Sequence, residues 1–169
     1  MKILETKRLV LRHMKTEDAK FMLELLNEPA WIKYIGDRGI RKIEEAKKYI
    51  EDGPMTMYEE KGFGLYLVEL KESEMPIGIC GLIQRDFLKD VDLGFAIHSK
   101  YWGNGYAFEA AQATLTYGND VLGFRRIAGF TSLDNEKSAS LLLKLGMIEE
   151  DKIKFASTQE EVRLFAIKY

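Results

Sequence analysis

The amino-acid sequence predicts a single α/β domain that covers residues 1–169. This length fits one compact domain. Hydrophobic residues make up 46% of the chain and charged residues 31%, the balance of a globular protein rather than a disordered one. Strand-like and helix-like patterns alternate in the order β-α-α-β-β-β-α-β-α-β, and no repeat or linker divides them.

The first third of the chain predicts one strand and two helices. The predicted strand is 8–12 and the predicted helices are 16–26 and 43–50. Thr16 supplies a capping hydroxyl, and two carboxylates follow it at the positive end of the helix dipole. Residues 31–39 are irregular, and Gly53-Pro54 closes the second helix.

The middle of the chain predicts three strands, 63–70, 77–84 and 91–97. The turn-like segment 71–76 joins the first two as a hairpin, and both are apolar on their two faces, as in central strands. The third strand alternates. Its two faces carry Leu93, Phe95 and Ile97 on one side and Asp92, Gly94 and Ala96 on the other.

The last third predicts two helices and two strands. A helix ends near 122, a strand covers 126–131, a helix starts at Asn135 and is closed by Gly146, and a strand covers 162–167. A further short strand near 147–149 is left open.

Charge and cysteine content exclude several classes of protein. With 25 basic and 27 acidic residues the net charge is -2, so no overall electrostatic case exists for a nucleic acid or an anionic membrane as partner. Cys80 is the single cysteine and cannot form an internal disulfide. No signal peptide or membrane-spanning stretch is found, and we expect a cytoplasmic protein. Monomer and homodimer both remain open.

A glycine-bearing loop at 99–107 lies where a strand turns into a helix. Glycines there let backbone amides approach a ligand, and a helix start favours phosphate groups. Such a turn is also often purely structural. The dinucleotide fingerprint would need glycine where Phe108 stands, and no Gly-Lys-Ser/Thr loop occurs, which disfavours nicotinamide and ATP sites.

Three motifs in chain order resemble the GNAT superfamily of N-acetyltransferases. Residues 102–107 are similar to its pyrophosphate signature Arg/Gln-X-X-Gly-X-Gly/Ala, with Trp102 in place of Arg/Gln. Tyr-Trp-Gly-X-Gly-Tyr-Ala and the opening segment 5–12 resemble the ribosomal-protein N-terminal (alanine/serine) acetyltransferase branch. Residues 135–147 are similar to the family's Asn-X-X-Ser followed by Lys-Leu-Gly-Phe.

The resemblance implies a mixed, mostly antiparallel sheet of six to seven strands, with helices on both faces and a splay between the fourth and fifth strands. Acetyl-coenzyme A would lie in this V-shaped gap as co-substrate, and no metal is implied. Its pantetheine arm would pair with the backbone of Phe95, Ala96 and Ile97. The remaining implied cofactor contacts are Trp102, Gly103, Asn104, Gly105, Tyr106, Ala107, Asn135 and Ser138.

The implied activity is transfer of an acetyl group to a primary amine, either a protein N-terminal α-amine or a small-molecule amine, by direct attack through a tetrahedral intermediate. An amine attacks only when neutral, so a base or a water relay must remove a proton. Many family members protonate the thiolate with a tyrosine seven positions after the asparagine, where this chain has Leu142. The alternative is therefore a catalytically weak acyl-coenzyme A-binding module of the same fold.

Two residues are the candidates for the chemistry. Ser138 replaces the missing acid or only donates a hydrogen bond, and it competes with a role as a helix cap. Asp92 is the candidate base, and it competes with a solvated strand aspartate. Trp31 and Tyr34 either line the acceptor pocket, as the resemblance implies, or pack locally.

Overall fold

The computed structural model describes residues 1–155 and 158–169, in which one sheet of nine strands carries helices on both faces. The strands are β1 (Lys2–Glu5), β2 (Leu9–Arg12), β3 (Leu65–Leu70), β4 (Pro76–Ile83), β5 (Asp92–Ile97), β6 (Arg126–Ser132), β7 (Ile148–Glu149), β8 (Ile153–Lys154) and β9 (Glu161–Lys168). The α-helices are α1 (Ala19–Leu26), α2 (Pro29–Tyr34), α3 (Ile43–Ile50), α4 (Thr56–Lys61), α5 (Tyr106–Asp120) and α6 (Glu136–Lys144).

The sheet has the mixed topology that the family resemblance predicted. Its order is β1-β2-β3-β4-β5-β6-β9-β7, with β8 paired to β9. Of the pairings between the described strands, β5 with β6 is parallel and the others are antiparallel. The fold class is confirmed, and β1 and β8 are short edge strands that the sequence prediction missed.

Each face of the sheet has its own apolar core. On one face, α5 and α6 bury small and branched residues such as Ala110, Leu115 and Leu142 against the strands. On the other, α1, α2 and α3 bury residues such as Met22 and Ile50. Two layers of helices around one sheet leave its central strands enclosed on both faces.

Three helix predictions were wrong in detail. Residues 29–34 form α2, begun by Pro29 at the first helical position, where its missing N–H costs nothing. The helix over 43–50 does not close at Gly53-Pro54, because Glu51–Met55 forms a π-helical turn that leads into α4. Thr16 is not the cap: a 3-10 turn precedes α1, and the carboxylate of Asp18 accepts from the Lys15 N–H at 2.9 Å.

Across the described part of the chain, every helix is too short or too polar to cross a membrane.

Candidate functional site

A gap opens in the middle of the sheet between β5 and β6. The two strands are joined at one register pair, Asp92 with Ala128, where the Ala128 N–H donates to the Val91 carbonyl at 2.9 Å. Beyond this pair the described residues of β5 and β6 share no further register position. We call the pair Asp92–Ala128 the vertex of the gap. The gap runs from the vertex toward Ile97 at the end of β5 and Ser132 at the end of β6.

The backbone of β5 is divided between β4 and the gap. Because the Val91 carbonyl faces β6, alternation along a strand turns the backbone groups of Phe95 and Ile97 toward the gap. Ala96 is paired with Ile79 of β4, and its carbonyl oxygen faces Gly78 so closely that a Cβ there would lie 2.3 Å away. The backbone of Ala96 therefore faces β4 and not the gap.

The loop after β5 is shaped by two glycines and one amide side chain. Gly103 and Gly105 have φ of 81° and 79°, in the left-handed region that glycine enters without steric cost. Asn104 Nδ2 donates to the carbonyls of Tyr101 and Trp102 at 3.1 and 3.2 Å. The Trp102 indole donates to the Ile97 carbonyl at 2.7 Å, which ties the loop to the end of β5.

This loop ends at the N-terminus of α5 with unused donors. In residues 1–155 and 158–169, the N–H groups of Gly105, Tyr106, Ala107 and Phe108 donate no hydrogen bond; the first bond of the helix runs from Glu109 N to Gly105 O at 3.1 Å. Gly105 is exposed. The 15-residue α5 places the positive end of its dipole here, so the loop can bind a phosphate group.

Two cations flank this loop, and neither is among the site residues predicted from the sequence. The Arg8 guanidinium lies 4.5 Å from the Tyr106 ring centroid, and its Nη2 would be 3.5 Å from a Cβ at Gly105. Arg8 Nε donates a hydrogen bond to Glu109 Oε1 at 2.7 Å, which fixes the guanidinium. Lys137 Nζ lies 5.3 Å from the Trp102 ring centroid. Arg8 belongs to the opening motif, whereas no local pattern marks Lys137.

The residues present fit acetyl-coenzyme A. Its diphosphate carries negative charge, and the loop offers free N–H groups, a helix dipole and two cations within one surface. Its pantetheine arm carries amides, and the gap offers the N–H and C=O of Phe95 and the N–H of Ile97 along an unpaired strand edge.

The start of α6 places Asn135 and Ser138 beside the widening end of the gap. Asn135 Oδ1 accepts from the Ser138 N–H at 3.2 Å, so Asn135 is the helix cap. Within the described residues the Ser138 hydroxyl makes no hydrogen bond, and the residue is half-buried. Leu142, at the position of the family tyrosine, is 1% exposed and packs against Gly129, which makes it part of the core.

Asp92 lies at the vertex and is not a solvated strand residue. It is 1% exposed, and its Oδ1 accepts from Arg85 Nε at 2.9 Å. Burial raises the pKa of Asp92, although the charge and hydrogen bond of Arg85 act in the opposite direction. A buried carboxylate with a raised pKa beside a cleft is a candidate for proton transfer.

α2 closes over the face of the sheet that carries Asp92. Glu28, just before α2, accepts from Ser99 N at 2.8 Å and Ser99 Oγ at 2.6 Å, and so anchors this helix to the end of β5. Trp31 is 5% exposed and packs with α1 and α3, which supports local packing. Lys33 Nζ lies 4.8 Å from the Tyr34 ring centroid.

Comparison with known proteins agrees with this geometry. A family model described as an acetyltransferase (GNAT) domain matches residues 8–148. The uncharacterized N-acetyltransferase YoaA of Bacillus subtilis (strain 168) is 32% identical over 150 residues, which cover 88% of this chain and 84% of that protein. The crystal structure of a GNAT-family acetyltransferase from Bacillus anthracis is 25% identical, with a TM-score of 0.81, over 99% of this chain and 98% of that one.

A structure with lower sequence identity was solved with coenzyme A bound. RimL, a ribosomal L7/L12 α-N-protein acetyltransferase solved in complex with coenzyme A, is 18% identical with a TM-score of 0.83, over 99% of this chain and 98% of that one. The family match spans the gap, the loop before α5 and the start of α6. The chain therefore belongs to the GNAT acetyltransferase family, and its activity is acetyl-coenzyme A-dependent acyl transfer.

Proposed function

We propose that the chain transfers an acetyl group to a primary amine, a protein N-terminal α-amine or a small-molecule amine, and that the gap between β5 and β6 holds the acetyl-coenzyme A. The observation that carries this proposal is the row of free N–H groups from Gly105 to Phe108. Coenzyme A in the RimL structure supports the same cofactor class. We also propose a cytoplasmic location, because the single cysteine, Cys80, is a buried free thiol and free thiols are typical of a reducing compartment.

The phosphate end of the cofactor is assigned to the loop before α5. The N–H groups of Gly105, Tyr106 and Ala107 bind the diphosphate, with Arg8 and Lys137 as neutralising cations. Gly103 and Asn104 shape the loop, and Trp102 fixes it to Ile97. The binding energy of this end positions the reactive end at the vertex.

Bound acetyl-coenzyme A supplies an activated acetyl thioester. Asp92 accepts the proton that the acceptor ammonium must lose before its nitrogen can form the new C–N bond, directly or through a water molecule. The Phe95 N–H, which faces the gap, donates to the carbonyl oxygen on which negative charge grows. Ser138 donates a hydrogen bond to the sulfur as the C–S bond breaks. The second proton that the nitrogen loses on becoming an amide reaches the thiolate through solvent.

A mass-spectrometric acetylation screen over peptides and small amines tests the activity. We expect a mass gain of one acetyl group on an amine in the panel, dependent on acetyl-coenzyme A. Binding of acetyl-coenzyme A with no acetylated product from any amine would instead support the weak binding module, which the buried Leu142 in place of the family acid favours.

Ser138→Ala is expected to lower kcat by about 10-fold while the Kd for acetyl-coenzyme A changes little, because a neutral hydroxyl contributes one hydrogen bond to the leaving sulfur. Steady-state kinetics and calorimetry measure the two quantities. Ser140→Ala is the matched control, since Ser140 is an exposed serine of the same helix. An unaltered kcat in Ser138→Ala would remove Ser138 from the mechanism.

A further inference from the structure

The Arg85 guanidinium spans the vertex of the gap. Its Nε donates to Asp92 Oδ1 on β5 at 2.9 Å, and its Cζ lies 4.9 Å from the ring centroid of Phe130 on β6. Phe130 is two residues beyond Ala128, the position of β6 that pairs with β5. The cation therefore sits where the two strands separate, on the sheet face of Asp92 and α2.

The position of Arg85 is fixed, yet part of its binding capacity is unused. The rings of Phe87 and Phe130 lie 5.9 and 4.9 Å from Cζ, and the side chain is only 27% exposed. Among the described residues, Nη1 and Nη2 have no hydrogen-bond partner. A guanidinium that is partly removed from water and lies beside two aromatic rings offers a planar pair of donors, which matches a carboxylate.

The surroundings of Arg85 add positive charge and buried polar groups. Burial raises the pKa of Tyr49, and the positive charges of Arg38 and Arg85 both oppose this shift, so the two cations act on one hydroxyl. Arg38 is exposed. On the same face, Ser132 Oγ and Trp31 Nε1 are buried without a partner in the described part of the chain. A buried polar atom without a partner is costly unless a ligand satisfies it.

We infer that the acceptor carries a carboxylate close to the amine that is acetylated, and that Arg85 binds this carboxylate through Nη1 and Nη2. This inference rests on the proposed transfer to a primary amine and specifies its substrate class. The acetylated nitrogen would then lie beside Asp92, which shares the guanidinium. An acceptor with further positive charges, such as a polyamine, is disfavoured because Arg38 and Arg85 would repel it.

Matched acceptor pairs test this inference. One arm compares a free amino acid with its carboxamide, and the other compares peptides that begin with Glu with peptides that begin with Gln. Rates are compared at equal concentrations of the neutral amine, because the carboxamide lowers the amine pKa. In the wild type we expect kcat/KM to be about 10- to 100-fold higher for the carboxylate member of one pair. The pair that shows this preference tells whether the carboxylate belongs to a free amino acid or to the first side chain of a peptide.

Arg85→Gln is expected to reduce this preference to about one, mainly through KM of the carboxylate member. Arg85→Lys keeps a cation opposite Asp92 but loses the planar fork, so an intermediate preference is expected. Arg125→Gln removes an exposed arginine that has no side-chain partner among the described residues, and it should keep the wild-type preference. Calorimetry with acetyl-coenzyme A checks that each variant is folded.

The outcomes separate this inference from the proposed function. Equal or faster acetylation of carboxamides, neutral amines or polyamines by the wild type would overturn the carboxylate assignment and leave amine acetylation standing. The carboxylate assignment also fails if Arg85→Gln slows both members of a pair equally, because Arg85 would then act through Asp92 and not on the acceptor carboxylate. Cofactor binding without acetylation of any amine would contradict the proposed function itself.

Discussion

Gly105→Glu is expected to weaken acetyl-coenzyme A binding by at least about 100-fold, because it places an anion where the diphosphate binds. Gly105 contributes a free N–H and its φ is 79°, a conformation that costs a residue with a Cβ about 1–2 kcal/mol. The new carboxylate would also reach Arg8, whose Nη2 lies 3.5 Å from the Cβ position. One change therefore adds repulsion and occupies a cation that the diphosphate needs.

The matched control is Gly123→Glu. Gly123 follows α5, has the same φ of 79°, and has no atom within 4 Å of its Cβ position. This variant therefore adds the same charge and the same backbone strain at the other end of the helix. Calorimetric titration should give it a wild-type Kd. A folded Gly105→Glu protein that also binds with wild-type affinity would refute the assignment of the diphosphate to this loop.

The sequence predicted those parts of the fold whose patterns are local. The alternation in β5 follows from side chains that repeat every two residues, whereas β3 and β4 were predicted from continuous apolar runs. All three strands are present. α2 was missed because residues 29–34 have little apolar periodicity. Contacts with α1 stabilise it instead, together with the hydrogen bonds that Ser99 donates to Glu28, the residue before the helix. The Gly53-Pro54 boundary failed because a π-helical turn accommodates a proline that an α-helix would reject.

The candidate site was also predicted only where its residues are contiguous in the sequence. The loop from Trp102 to Ala107 was found because its glycines and the family signature are contiguous. Arg85 was missed because its role depends on Asp92, seven residues later, and on Phe130, across the gap. Lys137 likewise approaches Trp102 only in the folded chain. Long-range pairs of this kind leave no periodic trace in one sequence.

Asp92→Asn is expected to lower kcat/KM by about 100- to 1,000-fold, the usual contribution of a positioned base. Asparagine keeps the size of the side chain and can accept a hydrogen bond from Arg85, but it cannot take a proton from the acceptor ammonium. Asp90→Asn is the matched control, because Asp90 is a carboxylate two residues away that pairs with Arg126 at 2.9 Å. It should keep both the activity and the acetyl-coenzyme A affinity of the wild type.

The pH profile distinguishes a base from a structural partner of Arg85. Asp92 acts when deprotonated, and burial raises its pKa from the ordinary value of 3.8, so wild-type kcat/KM should rise with pH through a limb above that value. In Asp92→Asn this limb should disappear, and the remaining rate should follow only the ionisation of the amine. If Asp92→Asn is slower but keeps the same acid limb, another group is the base and Asp92 only positions Arg85.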